Sequence, residues 1–185
     1  FGPGFVTHEA EPNSDTPKEF QTVMKHALIA ASAFAALLFA VATASAQDFR
    51  KSYPVGEGTS VSIGTLSGDI RVAAYSGADV VVTGRKVGRD ADRVQIRDRS
   101  EGGRIEVDVD VIGEFPRNDN NDASVNFDVQ VPTGVKLRLE RIRTLSGDIE
   151  IAGVSGAVEA TTMSGNVRVT GSSGVVDAKT MSGDV

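Results

Sequence analysis

The side chains from which most active sites are built are nearly missing from this chain. It holds no cysteine and no tryptophan, and its two histidines, His8 and His26, both precede the first strand-like pattern. If the segment carrying them is removed, no imidazole and no thiol remain. That excludes Ser-His-Asp and Cys-His catalysis, structural zinc and disulfide staples together. Chemistry would then have to come from carboxylates, amines, hydroxyls or backbone groups.

Three hydroxyl and carboxylate patterns have the spacing to matter. Ser-Gly recurs at Ser146, Ser155, Ser164, Ser173 and Ser182, nine residues apart each time. Alternate copies extend to Thr144-Leu145-Ser146-Gly147-Asp148-Ile149, Thr162-Met163-Ser164-Gly165-Asn166-Val167 and Thr180-Met181-Ser182-Gly183-Asp184-Val185, 18 residues apart. The Ser-Gly-[Asp/Asn] corners invite comparison with calcium-binding nonapeptides, which need Gly-Gly-x-Gly-x-Asp; one Gly and one acid per corner fall short. Asp148, Asn166 and Asp184 are instead expected in one outward column, the amide separating two carboxylates. Thr144-x-Ser146 and its copies would form a hydroxyl row suited to an ice or crystal surface only on a flat sheet, and a corner is the expected place for them. The polar run Arg117 to Asp122 lacks the Gly and terminal Glu of a calcium loop and is expected to be an exposed turn. No catalytic residue, cofactor site or metal site is assigned.

The elements that must position these residues follow from the same repeat. Within each nine-residue half the period is two, as in Ile149 and Ile151 against Asp148 and Glu150, so each half is a short strand. Gly after Ser supplies the permissive backbone of a corner. Strand, corner, strand and corner every 18 residues make a flattened β-solenoid, or β-helix, with coils about 4.8 Å apart. Its inward ladders are expected to be Leu145-Met163-Met181, Ile149-Val167-Val185 and Ile151-Val169 on one wall, and Val158-Val176 and Ala160-Ala178 on the other. An earlier copy, Thr65-Leu66-Ser67-Gly68-Asp69-Ile70, is followed nine residues later by Ser76-Gly77.

Residues 79–142 break the beat but keep the alternation, in Asp79 to Thr83, Arg93 to Arg97, Arg104 to Val111, Ser124 to Val131 and Val135 to Ile142. These read as longer strands. Glu101-Gly102-Gly103 and Pro132-Thr133-Gly134 mark turns, so adjacent pairs are expected to be antiparallel hairpins. The sets Arg104, Glu106, Asp108, Asp110 and Lys136, Arg138, Glu140 are expected to face outward and pair across strands. The fold class is therefore all-β: a flattened solenoid of 18-residue coils over 144–185, preceded by a more irregular, partly antiparallel β-region.

The chain begins at Phe1, and residues 1–23 show neither strand nor helix periodicity, as expected of upstream read-through. Residues 24–46 have the three-part layout of a signal peptide: Met24-Lys25-His26, the apolar run Ala27 to Ala42 broken only by Ser32, and Ala44-Ser45-Ala46. The run is short and Ala-rich for a membrane anchor, and cleavage is expected between Ala46 and Gln47. Residues 47–185 then form a single β-repeat domain carrying 17 basic and 21 acidic residues, a net charge of −4. No basic patch is left to track a phosphate backbone, so nucleic acid is not expected as a partner.

Val129-Gln130-Val131-Pro132-Thr133-Gly134-Val135, followed by Thr-[Leu/Met]-Ser-Gly-[Asp/Asn]-[Ile/Val], resembles the bacterial putative-adhesin family over about residues 55–185. The resemblance implies an exported, non-enzymatic β-repeat protein of the cell envelope or surface, located in the periplasm, at the surface or outside the cell. Such a protein would bind a protein or glycan or act as a scaffold. It brings no catalytic residues. The alternatives are a β-helical carbohydrate-active enzyme using carboxylates with Arg or Lys, for which 18-residue coils leave no room for cleft-building loops, and an envelope-stress or signalling accessory protein. Family members continue for several more coils, whereas this chain stops inside a motif at Val185. Truncation is expected there, with self-association through an uncapped C-terminal edge.

Overall fold

The computed structural model describes residues 48–113 and 122–185, which belong to the unit Ser45–Val185. The expected read-through segment, the signal peptide and most of the Arg117–Asp122 run lie outside the described residues. Twelve strands are present among the described residues: β1 Phe49–Pro54, β2 Ser60–Ser67, β3 Ile70–Tyr75, β4 Asp79–Val87, β5 Val94–Asp98, β6 Arg104–Val111, β7 Ser124–Pro132, β8 Leu137–Ser146, β9 Ile149–Ala152, β10 Gly156–Ser164, β11 Val167–Thr170 and β12 Val176–Ser182. The fold is all-β, as expected, with one 3-10 turn among the described residues, at Ala91–Arg93. The strands form two six-stranded mixed sheets, ordered β1-β4-β7-β3-β9-β11 (the first sheet) and β12-β10-β8-β2-β6-β5 (the second).

The repeat sets the register. Val158 pairs with Val176 and Ile149 with Val167, both in parallel and both 18 residues apart. Each stretch of sequence crosses from the second sheet to the first at a Ser-Gly-[Asp/Asn] corner, so β8 leads to β9 and β10 to β11. The earlier copy joins this stack directly: Thr65 pairs with Thr144 and Ile70 with Ile149, although 79 residues separate them in sequence. Below it lies a further level, because β6 pairs parallel with β2 and β7 parallel with β3. The spatial order of levels is thus β6/β7, β2/β3, β8/β9, β10/β11, β12. Antiparallel pairing is confined to the far end, where β5 hydrogen-bonds β6, β4 bonds β7 and β1 bonds β4.

Residues 79–142 are partly antiparallel, as expected, through β4 with β7 and β5 with β6, while β6 and β7 also form the lowest parallel level and β8 belongs to the repeat itself. Two finer expectations about this segment need correction. Only the Glu101-Gly102-Gly103 turn closes a hairpin, between β5 and β6. At Pro132-Thr133-Gly134 the chain changes sheets instead. β7 buries Val125, Phe127, Val129 and Val131 from the first sheet, while β8 buries Leu137, Leu139 and Ile142 from the second. A hairpin would have put both strands in one sheet and left one wall of the core unbuilt. The two outward sets also do not pair with each other, because β2 lies between β6 and β8. Arg104 pairs with Glu106 at 3.8 Å and Arg138 with Glu140 at 3.5 Å along their own strands. Across strands the β6 set finds other partners: Arg97 on β5 reaches Asp110 at 2.7 Å, and Arg143 on β8 reaches Asp108 over β2 at 3.8 Å.

One apolar core, dominated by Val and Ile with Phe127 as its largest side chain, fills the space between the sheets. The ladders Ile149-Val167, Ile151-Val169, Val158 and Ala160 lie in or against it, as the alternation requires. Of their upper members Ala178 still packs against the core, whereas Val176 and Val185 are exposed, since the last level has none above it among the described residues.

Candidate functional site

The Thr-x-Ser-Gly-[Asp/Asn] corners were the strongest candidates for chemistry, and the structure brings them into one continuous column along an edge of the stack. Its threonine hydroxyls and its Asp or Asn side chains are engaged there by the neighbouring level, while Ser146, Ser164 and Ser182 stay exposed. The Asp/Asn side chains form a ladder: the backbone N–H of Asp69 donates to Asn126 Oδ1 at 3.0 Å, that of Asp148 to Asp69 Oδ1 at 3.0 Å, that of Asn166 to Asp148 Oδ1 at 2.7 Å and that of Asp184 to Asn166 Oδ1 at 2.9 Å. The expected column Asp148-Asn166-Asp184 is therefore real, and it extends down through Asp69 and Asn126. An amide does not always intervene, because Asp69 and Asp148 are adjacent. A backbone N–H directed at each carboxylate offsets that repulsion, as charge-assisted bonds of this kind do.

The threonines form a second ladder. Thr144 Oγ1 donates to the Gly68 carbonyl at 3.2 Å, Thr162 to that of Gly147 at 3.1 Å and Thr180 to that of Gly165 at 2.9 Å. Glycine is required beside them for two reasons. Gly147 has φ 147°, and a Cβ built on it would stand 2.2 Å from the Gly68 carbonyl oxygen. Levels stacked this closely leave no room for a side chain.

This arrangement corrects one inward ladder. Leu145, Met163 and Met181 are not in the core; with Leu66 they form an exposed apolar column on the outer face of the second sheet. The threonines before them point inward instead, Thr144 and Thr162 being almost wholly buried. Each corner shifts the alternation by one residue, so parity counted back from Ile149 or Val167 through the glycine is wrong by one place. The same burial removes the hydroxyl row that an ice-binding face would need.

Beside the apolar column the second sheet is irregular. Leu139 pairs with Val61 and Ile142 with Ile63, so Glu140 and Arg141 together oppose the single residue Ser62, which is a β-bulge. Arg141 has φ 55°, the one non-glycine residue with positive φ among those described. Ser62 is buried and its hydroxyl has no partner. Two places along, Gly64 leaves a gap over which Arg143 reaches Asp108 at 3.8 Å; a Cβ there would lie 2.3 Å from Asp108 Oδ1. The result is a surface depression of about 400 Å³ between Leu66, Leu145 and Met163 on one side and Arg141, Arg143 and Glu159 on the other. The bulge carries no Gly, Pro or other mark in the sequence, and reading the residues alone did not find this depression.

The opposite end of the stack is held differently. Lys51 on β1 pairs with Asp98 on β5 and lies 5.1 Å from the centre of the Tyr53 ring, joining the edge strands of the two sheets. Burial of Asp98 opposes its ionisation, but the hydrogen bonds from Lys51 and Ser100 outweigh it and bring the carboxyl down to about 2. Burial pushes the Tyr53 hydroxyl up to about 12, with Ser100 pulling the other way and the Asp98 charge adding to the rise. That hydroxyl lies beside Ser100 and Asp98 but meets good hydrogen-bond geometry with neither.

No family model and no curated protein matches the chain. Solved structures do match. A putative cell adhesion protein from Clostridium sporogenes ATCC 15579 aligns over 74% of this chain and 95% of its own, at 9% identity and a TM-score of 0.40. A putative adhesin from Bacteroides fragilis NCTC 9343 aligns over 74% and 96%, at 12% identity and a TM-score of 0.25. Among the described residues no helix is long and apolar enough to cross a membrane.

Proposed function

We propose that this chain is an exported, non-enzymatic β-repeat protein of the cell envelope, adhesin-like in the sense that it presents a regular surface to a protein or glycan, and that its parallel levels are the coils of a β-solenoid. One observation carries the reading. Of the residues that recur in the motif, Thr, Gly and Asp or Asn make hydrogen bonds between levels, so their recurrence reflects the building of a stack. The side chains left outward on the repeat, Leu66, Leu145, Met163 and Met181 beside charged columns, form a surface suited to contact. The layout of residues 24–46 supports export.

Two experiments test it. In cells making the full chain, protein recovered from the periplasm or medium should begin at Gln47 or within a residue or two; protein kept in the membrane with Ala27 to Ala42 attached would overturn export. A solenoid should also accept one more coil. Inserting a second copy of residues 153–170 after Thr170 should leave a cooperatively folded β-protein with an unchanged or higher melting midpoint. Loss of cooperative melting would mean that the two sheets are a closed sandwich of fixed size.

A further inference from the structure

We propose that the outer face of the second sheet is a self-complementary contact through which two copies of this chain form a weak, two-fold symmetric dimer. Leu66, Leu145, Met163 and Met181 occupy one column, in register on β2, β8, β10 and β12. They are 38%, 48%, 48% and 80% exposed. Apolar side chains at the spacing of stacked levels, about 4.8 Å, are matched in period by another copy of the same stack. An α-helix laid along the column would offer a pitch of about 5.4 Å and drift out of step.

The flanking charges supply the complementarity. A two-fold axis parallel to the strands and passing between β8 and β10 lays the sheets face to face with strands aligned, as packed sheets prefer. It sets Leu145 against the second copy's Met163, and Leu66 against its Met181. Glu140 and Arg141 share the register position of Glu159 on the neighbouring strand, so the same axis sets Arg141 against the second copy's Glu159, twice. Neither Arg141 nor Glu159 makes an ion pair within its own chain among the described residues. The bulge adds a separate observation: Arg141 is held at φ 55°, a conformation that costs energy for a side chain with a Cβ. The depression it borders, with Gly64 at its floor, leaves room for side chains from a facing sheet.

The size of the face sets the strength. Four levels at about 4.8 Å, with strands of about seven residues at about 3.3 Å each, give about 450 Å² per copy, in the range of weak and reversible contacts.

Sedimentation equilibrium of the full chain from about 10 to about 500 µM, at physiological salt, should show reversible monomer–dimer exchange. Arg141→Glu and Glu159→Arg should each weaken it by about tenfold or more, since like charges then meet. The double variant carrying both should recover most of the loss, while the melting midpoints of the single variants stay with the parent chain, which separates a contact between copies from a cross-strand effect on folding. Met163→Lys should abolish the dimer while leaving the melting midpoint in place, because Met163 is exposed. Ala178→Pro, which blocks hydrogen bonding along the β12 edge, should leave the dimer intact. A chain monomeric throughout the range would overturn the proposal. So would association indifferent to both charge reversals, or association lost with Ala178→Pro, which would assign the contact to the strand edge.

Discussion

The stacked levels and the antiparallel end of the molecule meet the same need, partners for strand edges, with different chemistry. Over the stacked levels from β2/β3 upward the solution is repetition. Each level offers carbonyls, an Asp or Asn side chain and a threonine hydroxyl at the positions where the next level needs them, and the bonds run from level to level within 2.7 to 3.2 Å. At the β1, β4 and β5 end the parallel order stops and antiparallel strands cover the edge. There the sheets are joined by unlike side chains: a cation, a carboxylate and a tyrosine ring. Repetition is rigid about what may stand at each position, since every level must fit two neighbours. The cap has only one neighbour to fit and is correspondingly tolerant. The contrast can be tested residue by residue.

The largest effect should come from the wall of the stack. Val167 is buried between Ile149 and the final level, and Val167→Asp places an unpaired charge there at a cost of about 3 to 5 kcal/mol. Arg168, the next residue, is exposed, and Arg168→Asp should be close to neutral. Chemical denaturation of the two variants checks this, and equal shifts would mean that the strand's faces are misassigned.

Glycine offers the sharpest pairing of the two regions. Gly147→Ala meets both an unfavourable φ and the Gly68 carbonyl, and should cost about 2 to 4 kcal/mol. In the β5–β6 turn of the cap, Gly102 also has positive φ, at 56°, but nothing lies within 4 Å of a built Cβ. Gly102→Ala should cost only about 1 to 2 kcal/mol, the price of left-handed backbone alone. If the two variants lost the same stability, close packing of levels would not be what fixes glycine in the motif.

That same close packing explains which parts of the fold could be read from the residues. The 18-residue beat is legible because each level must match the next, and Ile149, Ile151 and Val167 lie where alternation puts them. Counting from Val158 and Ala160 along β10 reaches Thr162, which is buried. Counting back from Val167 through Gly165 reaches Met163, which is not. Alternation is a property of extended strands, and the corner interrupts it, so only the first count holds. The place of Thr65 to Ile70 directly below Thr144 to Ile149 was not legible, because local pattern does not say which of several like levels will be neighbours. Nor was the change of sheets at Pro132-Thr133-Gly134, since a turn signal is the same whether the next strand returns beside the last or crosses the core. The candidate surface was harder still: Arg141, Glu159 and Ser62 carry no motif and meet only through the register of three strands.

Buried hydroxyls give a smaller comparison. Thr162→Val keeps shape and burial but removes the donor to the Gly147 carbonyl, and should cost about 1 kcal/mol. Tyr53→Phe removes a buried hydroxyl that has no good partner, and should be neutral or slightly stabilising. It should also abolish the part of the alkaline destabilisation due to Tyr53. A phenol raised to about 12 in the folded chain keeps its full contribution below about pH 10, the unfolded value, and loses it as pH rises through 12. Thermal melts at pH 7 and pH 11 separate the two effects.

The smallest effect should be visible only against pH. Asp98 is held at about 2, below an unfolded carboxyl near 4, so the folded chain binds its proton less readily than the unfolded chain. Its contribution is then present above about pH 4 and is lost as pH falls through about 2. Lys51 and Asp98 remain partly open to solvent, so the gain is small and sensitive to salt. Asp98→Asn should lower the melting midpoint slightly at pH 6, and the gap to the parent chain should shrink between pH 4 and pH 2 and nearly close below that. Many other carboxylates titrate over the same range, so the measurement is the difference between the two chains at each pH. Made instead on a Lys51→Met background, Asp98→Asn should give a difference that varies less with both pH and salt. A gap unchanged from pH 6 to pH 2 would mean that the cap is held by the apolar contacts of Tyr53 rather than by the charge pair across the two edge strands.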